Sequence, residues 1–216
     1  MNGYCDICGS ETIEIFHERF QLRFYYCPCC EFISKDKNTI ITIEEEFRIY
    51  NLHENTIEDL RYVDYFKRFI HSAILNYCGT GRKGLDFGSG PSPVLATLLE
   101  RDFDFSMDIY DLFYAPEKIY EGKKYNLVTA TEVVEHLKNP LDYFCQFKDL
   151  LEDDGLLSIM TSFHPNNDAA FMNWHYIREA CHISFYTLKT MEVISEKVGL
   201  KIIHTDDRRY TTFKLL

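Results

Sequence analysis

Residues 84 to 93 read Gly84-Leu85-Asp86-Phe87-Gly88-Ser89-Gly90-Pro91-Ser92-Pro93, an apolar strand running into a glycine-rich turn that feeds a helix. Gly88 and Gly90 lack a Cβ, so the backbone can turn sharply and admit a ligand close to its amides. Ser92 followed by Pro93 reads as an N-cap and first helical residue. The helix behind the turn presents unpaired N–H groups and a positive dipole end to a ligand. Two glycines in a strand–turn–helix are a weak signal alone, and the surrounding pattern decides their meaning.

The order that follows is a strand at 84–87, a helix at 93–101, strands at 103–109 and 125–130, a helix at 140–151 and a strand at 156–161. Helices at about 168–180 and 188–198 come next, with Gly199 as the residue that ends the second. Strands at 200–204 and 210–215 close the chain as a hairpin through Asp206, Asp207, Arg208 and Arg209. Alternating strands and helices predict an α/β fold, a Rossmann-like doubly wound and mostly parallel sheet, with its ligand at the carboxyl ends of the strands. The terminal hairpin supplies an antiparallel strand at the end of that sheet. Only thirteen residues separate Asp111 from Tyr125, too few for a further helix and strand, so loops with Phe113 or Tyr114 should close that edge.

Upstream, Cys5 and Cys8 form one CxxC and Cys27 and Cys30 a second, with eighteen residues between the pairs. Two such knuckles supply a closed tetrahedral site of four thiolates, which predicts a structural zinc. Gly9 and Pro28 sit where the knuckles turn, and Ile13–Phe16 and Leu22–Tyr26 read as strands. Cys29 is a surplus thiol that competes with Cys30 as ligand. A closed site has no open coordination position, so its simplest role is to fold a segment too small to fold alone. Docking of a macromolecule gains no electrostatic support, because residues 1–37 carry four Lys and Arg against six Asp and Glu. The expected organisation is a zinc-ribbon-like segment at 1–37, a linker and helix at 38–83, and a ligand-binding domain at 84–216. Within the linker, residues 57–77 repeat apolar side chains at helical spacing.

The whole chain of 216 residues carries 23 Lys and Arg against 34 Asp and Glu, a net charge of −11. That balance repels phosphate backbones and lowers the case for a nucleic-acid partner. No apolar run approaches a membrane span, and the N-terminus lacks the basic and apolar regions of a signal peptide, which predicts a soluble, cytoplasmic protein. Cys78, Cys145 and Cys181 read as isolated buried thiols.

Leu85-Asp86-Phe87-Gly88-Ser89-Gly90 resembles the first motif of class I S-adenosylmethionine-dependent methyltransferases, with Ser92 where a third glycine is usual. The run Tyr125 to Leu137, containing Thr131-Glu132-Val133-Val134-Glu135-His136, looks like the fourth strand and following turn of the quinone-biosynthesis-like members. The segments 48–55 and 174–186 are similar to a bacterial subgroup with an N-terminal pair of CxxC motifs.

The resemblance implies methyl transfer from S-adenosylmethionine to an unidentified acceptor, more in keeping with a small molecule than with RNA. A zinc-ribbon RNA methyltransferase and a noncatalytic cofactor-binding or interaction protein are the alternatives. Cofactor contacts are expected from Asp86, Gly88, Ser89, Gly90, Thr131 and Glu132. Asp108 and Asp111, 20 and 23 residues after Gly88, compete for the ribose hydroxyls. Asp108 is in phase with a solvated face and Asp111 lies past the strand end, which favours Asp111. Asp86 reads equally as an anchor for the turn. His182 is the first candidate for a general base and His136 the second, with His53 and His175 behind them. Trp174, Tyr176, Phe185 and Tyr186 line an acceptor site or fill the core.

Overall fold

The computed structural model describes residues 3–51 and 56–216, and His53 lies outside them. Strands β1 (Ile13–His17), β2 (Leu22–Tyr26) and β3 (Ile33–Lys35) form an antiparallel meander carrying the cysteine knuckles at one end. Helix α1 (Ile43–Tyr50) starts at a capping box, in which Thr42 Oγ1 accepts from the Glu45 amide and Glu45 accepts from the Thr42 amide. Helix α2 (Leu60–Phe69) continues through one π turn at Ile70–Ile74. Then follow β4 (Lys83–Phe87), α3 (Val94–Phe103), β5 (Ser106–Tyr110), β6 (Tyr125–Thr131), α4 (Pro140–Asp149) and β7 (Leu151–Met160). The chain ends with α5 (Asp168–Asn173), β8 (Ser184–Phe185), α6 (Leu188–Val198), β9 (Leu200–Thr205) and β10 (Tyr210–Leu215).

The main sheet runs β5-β4-β6-β7-β10-β9. Its first four strands are parallel, and β10 is antiparallel to both neighbours. The antiparallel strand therefore lies inside the sheet, with β9 as the edge. That order follows from the right-handed crossover through α6, which lays β9 down parallel to β7 but one strand-width away, and the tight hairpin then fills the gap. No strand or helix lies between Asp111 and Tyr125, where turns replace them.

Each central strand is apolar on both faces, as a sheet covered on both sides requires. Leu127, Leu156 and Met160 pack with Phe66 and Phe69 of α2 and Leu95, Leu98 and Leu99 of α3. Val128, Leu157 and Ile159 point the other way, onto Phe144 and Phe147 of α4 and Met191 and Ile194 of α6. The same second cluster includes Cys5, Ile7, Cys27, Cys30 and Phe32. The ribbon thus shares a core with the sheet's far face. It also borrows a strand, because β3 pairs with β8, Ile33 opposite Phe185 and Ser34 opposite Ser184.

Several boundaries differ from those expected, each for a local reason. Ser92 does not cap α3 with its side chain. Pro93 occupies the cap position, and the Ser92 carbonyl accepts from the Val94 amide. The strand expected from 103 starts at Ser106, because α3 runs to Phe103 and Asp104 ends it in the left-handed region with φ 57°. The helix expected at 168–180 breaks at Trp174, which is extended at ψ 132°, and only a 3-10 turn at His175–Arg178 follows. Cys145 is exposed and Cys78 half-buried.

Because ribbon and sheet share one core, a chain beginning at residue 38 should fail to unfold cooperatively. Its near-ultraviolet circular dichroism on heating should lack the single transition of the full chain, whereas an unchanged transition would show that the ribbon is dispensable for folding.

Candidate functional site

The parallel strands set the site. Gly88 and Ser89 leave β4 with their amides donating to the Tyr110 carbonyl at 2.7 and 3.1 Å, which ties the turn to the end of β5. Gly88 has φ +83°, and a Cβ there would meet Val133 Cγ2 at 2.2 Å, so the turn needs glycine for conformation and for space. Asp111 follows β5 directly. Its Oδ2 accepts from the Gly90 amide at 2.9 Å and its Oδ1 from the amides of Phe113 and Tyr114 at 2.9 and 3.1 Å. Asp108 lies elsewhere, bound by Lys123 Nζ and the Tyr125 hydroxyl, each at 2.7 Å. Partial burial works to raise the Asp108 pKa, yet those two hydrogen bonds hold its carboxyl below the ordinary range. The structure brings Asp111, not Asp108, to the glycine turn.

Asp86 is buried at 2% exposure. It accepts from Thr129 Oγ1 at 2.8 Å. This is the geometry of an anchor beneath the turn. Burial is the main reason its pKa is pushed up to about 7, with the charge of Asp111 adding to it.

Thr131 ends β6 and is buried. Glu132 follows in the left-handed region at φ 53°, a strained conformation for a residue with a Cβ. Its amide donates to the Met160 carbonyl, and its carboxylate accepts from the Tyr65 hydroxyl at 2.7 Å and the Tyr176 hydroxyl at 2.8 Å. Tyr176 also touches Glu135 Oε1. One hydroxyl has one proton to give, so contact with both carboxyl groups requires that one of them be protonated. Glu135, fully buried, is that one: burial and then the charge of Glu132 raise its pKa well above the ordinary value.

His182 and His136 stand beside this network. Their rings meet edge to face at 4.9 Å, and the His182 ring lies 4.0 Å from that of Tyr176. His182 Nδ1 lies 2.9 Å from the Tyr176 carbonyl oxygen, which can only accept, so Nδ1 carries the proton and Nε2 keeps its lone pair. Burial first, and then His136, push the His182 pKa down to about 3, which leaves the ring neutral at physiological pH. His175 is exposed on the outside of its turn. Phe185 packs on Phe24, Phe171 and Trp174, and Tyr186 donates to the Val134 carbonyl, so both belong to the core. Tyr65, Glu46 and Cys181 join the site without having been singled out for it, whereas Tyr176 was among the aromatic residues expected to line an acceptor site or fill the core. The adjacency of Cys181 to His182 was the one visible signal.

At the other end of β8 the four ribbon thiols converge, all within 4.8 Å of one another. The closest pairs, Cys5–Cys30 at 3.5 Å and Cys8–Cys27 at 3.3 Å, are far from the roughly 2.05 Å of a disulfide. A tetrahedral ion with Zn–S of about 2.3 Å would space its thiolates at about 3.8 Å, which this cluster fits. Cys29 points to solvent. The second knuckle is bonded into the main domain: Cys30 O accepts from Thr190 Oγ1 at 2.9 Å, and Glu31 accepts from Thr187 Oγ1 at 2.8 Å. Glu31 O also lies 2.7 Å from His164 Nε2.

The sheet order and the strand-tip site define a class I methyltransferase fold. A family model described as a methyltransferase domain matches residues 59–205, and the chain belongs to that family. Structures of similar fold include the mitomycin 7-O-methyltransferase MmcR, at 10% identity and TM-score 0.55 over 70% of this chain and 53% of that one. An O-methyltransferase family protein from Burkholderia thailandensis aligns at 15% identity and TM-score 0.54 over 73% and 60% of the two chains. DesVI of Streptomyces venezuelae aligns at 11% and 0.53 over 82% and 99%. The chain thus spans only about half to three fifths of the first two, and at these identities the likeness is one of fold. A search of curated proteins found no match.

The buried Asp86 carboxyl makes stability depend on pH. Its pKa is about 7 folded and about 3.9 unfolded, so the stability it contributes is fully present below about pH 4 and is lost as pH rises to about 7. In urea unfolding without ligand, Asp86→Asn should therefore gain on the wild type between pH 5 and 8 and show no such gain near pH 4. A difference that stays constant with pH would remove Asp86 as the cause. For the ribbon, Cys27→Ser should weaken the binding of added zinc and lower the thermal midpoint, measured by metal analysis and scanning fluorimetry.

Proposed function

We propose that the protein transfers a methyl group from S-adenosylmethionine to a small-molecule acceptor. The observation that carries this reading is the convergence of the Gly88–Gly90 turn, Asp111 and the Thr131–His136 segment at the carboxyl ends of three adjacent parallel strands. In this reading Gly88, Ser89 and Gly90 take the methionine end of the cofactor, and Asp111 takes the ribose hydroxyls. Asp86 anchors the turn, while Thr131 and Glu132 border the cofactor from β6. The ribbon holds a structural zinc through Cys5, Cys8, Cys27 and Cys30, and its reduced thiols suit a cytoplasmic setting. Among the described residues no helix is long and apolar enough to cross a membrane.

The cofactor's sulfonium supplies the activated methyl group, and the chain's own residues align the acceptor. His182 Nε2 accepts a hydrogen bond from an acceptor hydroxyl and orients it. A base with a pKa of about 3 is weak, but the hydroxyl proton becomes strongly acidic as the new O–C bond forms, so a weak base suffices. His136 shapes the same wall. A nucleic-acid acceptor gains no support from a chain of net charge −11.

Asp111→Ala should weaken S-adenosylhomocysteine binding, measured by calorimetry, by roughly tenfold or more, the scale of a lost charged hydrogen bond. Asp108→Ala should leave it within about twofold. The reverse pattern would move the ribose contact to Asp108, and no binding by the intact chain would end the methyltransferase reading.

A further inference from the structure

Three side chains outside the ribbon gather metal-ligating atoms at one point. His136, Cys181 and His182 place two imidazole nitrogens and a thiol sulfur within 4.8 Å of one another, with Cys181 and His182 buried and His136 nearly so. They come from two separate segments, the turn after β6 and the strap leading into β8, so chain adjacency accounts for only one of the three contacts. The segments are clamped together by the Ile183 amide donating to the Glu135 carbonyl at 2.8 Å and by Ser184 Oγ donating to the Leu137 carbonyl at 2.7 Å.

Each nitrogen is prepared as a ligand rather than as a packing group. His182 donates through Nδ1 to the Tyr176 carbonyl, which fixes the ring and leaves Nε2 as a bare lone pair. A backbone carbonyl holding the far nitrogen is the usual support of a metal-bound histidine. His136 Nδ1 is buried with no hydrogen-bond partner, an uncommon state for a polar atom. The nearest charge to it is Glu46 Oε1 on α1, at 3.5 Å. That carboxylate is itself only 20% exposed and approaches His136 alone, outside the group of three.

We propose that His136, Cys181 and His182 form a second metal centre for a divalent transition ion of the zinc type, with a solvent molecule to complete the coordination. Two nitrogens and one sulfur, with a fourth position left to solvent, suit tetrahedral zinc or cobalt and disfavour magnesium or calcium, which require mostly oxygen. The ribbon differs in having four buried or half-buried thiols and no oxygen donor. Ligation uses the Nε2 lone pair, so an ion here makes His182 a ligand instead of a proton acceptor. The centre itself does not rest on the methyl-transfer reading.

Cobalt titration tests it. Purified, reduced protein stripped by a mild chelator is titrated anaerobically with Co(II), and the visible spectrum is followed. About two equivalents should bind to the wild type, with two distinct spectra, because the four-thiolate and mixed sites differ in ligand field. Cys181→Ser and His136→Ala should each weaken the second equivalent by at least about tenfold while keeping the ribbon's spectrum, which also shows that the ribbon is folded. Cys5→Ser should remove the other equivalent. Saturation of the wild type at one equivalent, or a second equivalent that persists unchanged in Cys181→Ser and His136→Ala, overturns the proposal. S-adenosylhomocysteine binding, measured in the same samples, separates that failure from failure of the methyltransferase reading.

Discussion

The pairing of β3 with β8, locked by the second cysteine knuckle, is the constraint on which the rest of the site depends. The segment 174–186 has little regular structure of its own, one 3-10 turn and a two-residue strand. A strand of two residues is held by its neighbours, not by propensity. Here the neighbours are Ile33 and Ser34 on one side and the carbonyls of Glu135 and Leu137 on the other. Lys35 adds to this: its buried ammonium donates to the Ala180 carbonyl at 2.8 Å. The positions of Tyr176, Cys181 and His182 are therefore set by a segment more than 140 residues away in the chain. This explains why a closed thiol cluster, with no open ligand position, still bears on chemistry at the strand tips.

The second constraint is electrostatic. Asp86, Glu132 and Glu135 lie at or beneath the strand tips in a chain that is already strongly acidic. Unpaired carboxylates at the buried Asp86 and Glu135 would be costly, since burial disfavours the charged form. The structure divides the cost. Burial pushes Glu135 and Asp86 toward their neutral forms, Thr129 hydrogen-bonds Asp86, and Glu132 accepts from two tyrosine hydroxyls. Tyr176 touches both Glu132 and Glu135. The strained φ of Glu132 is the backbone's share of aiming that carboxylate inward.

Much of this was legible in the residues. The strand at 84–87, the glycine turn, the knuckles and the terminal hairpin rest on local chemistry, and each has its own periodicity or turn residue. The position of Asp111 past the end of β5 was also legible, because a strand tip must sit there. What escaped the sequence depends on contacts between distant segments. Residues 103–109 read as one strand, but Asp104 closes a helix through a left-handed turn that its sequence does not reveal. Tyr65 and Glu46 lie on helices whose sequence marks only a face, and nothing local says that the face meets Glu132 or His136.

Helix α1 bears on the acceptor. It buries no residue of its own, yet Phe47 packs on Phe113 at 5.1 Å, and Tyr50 packs on Phe113 and His136, each at 5.5 Å. The Tyr114 hydroxyl donates to Asn51 Oδ1 at 3.0 Å, joining the end of α1 to the loop after Asp111. The short loop that replaces a further strand and helix thus gives α1 a surface to rest on, and the two close the site with aromatic rings. On the proposed methyl-transfer reading, such a wall would favour a planar or apolar acceptor over a polyanion, since the flanking charges on α1, Glu44, Glu45 and Glu46, are acidic. Acceptor choice on that reading would rest with α1 and residues 111–114, while the parallel strands beneath them keep the glycine turn and Asp111 in fixed register.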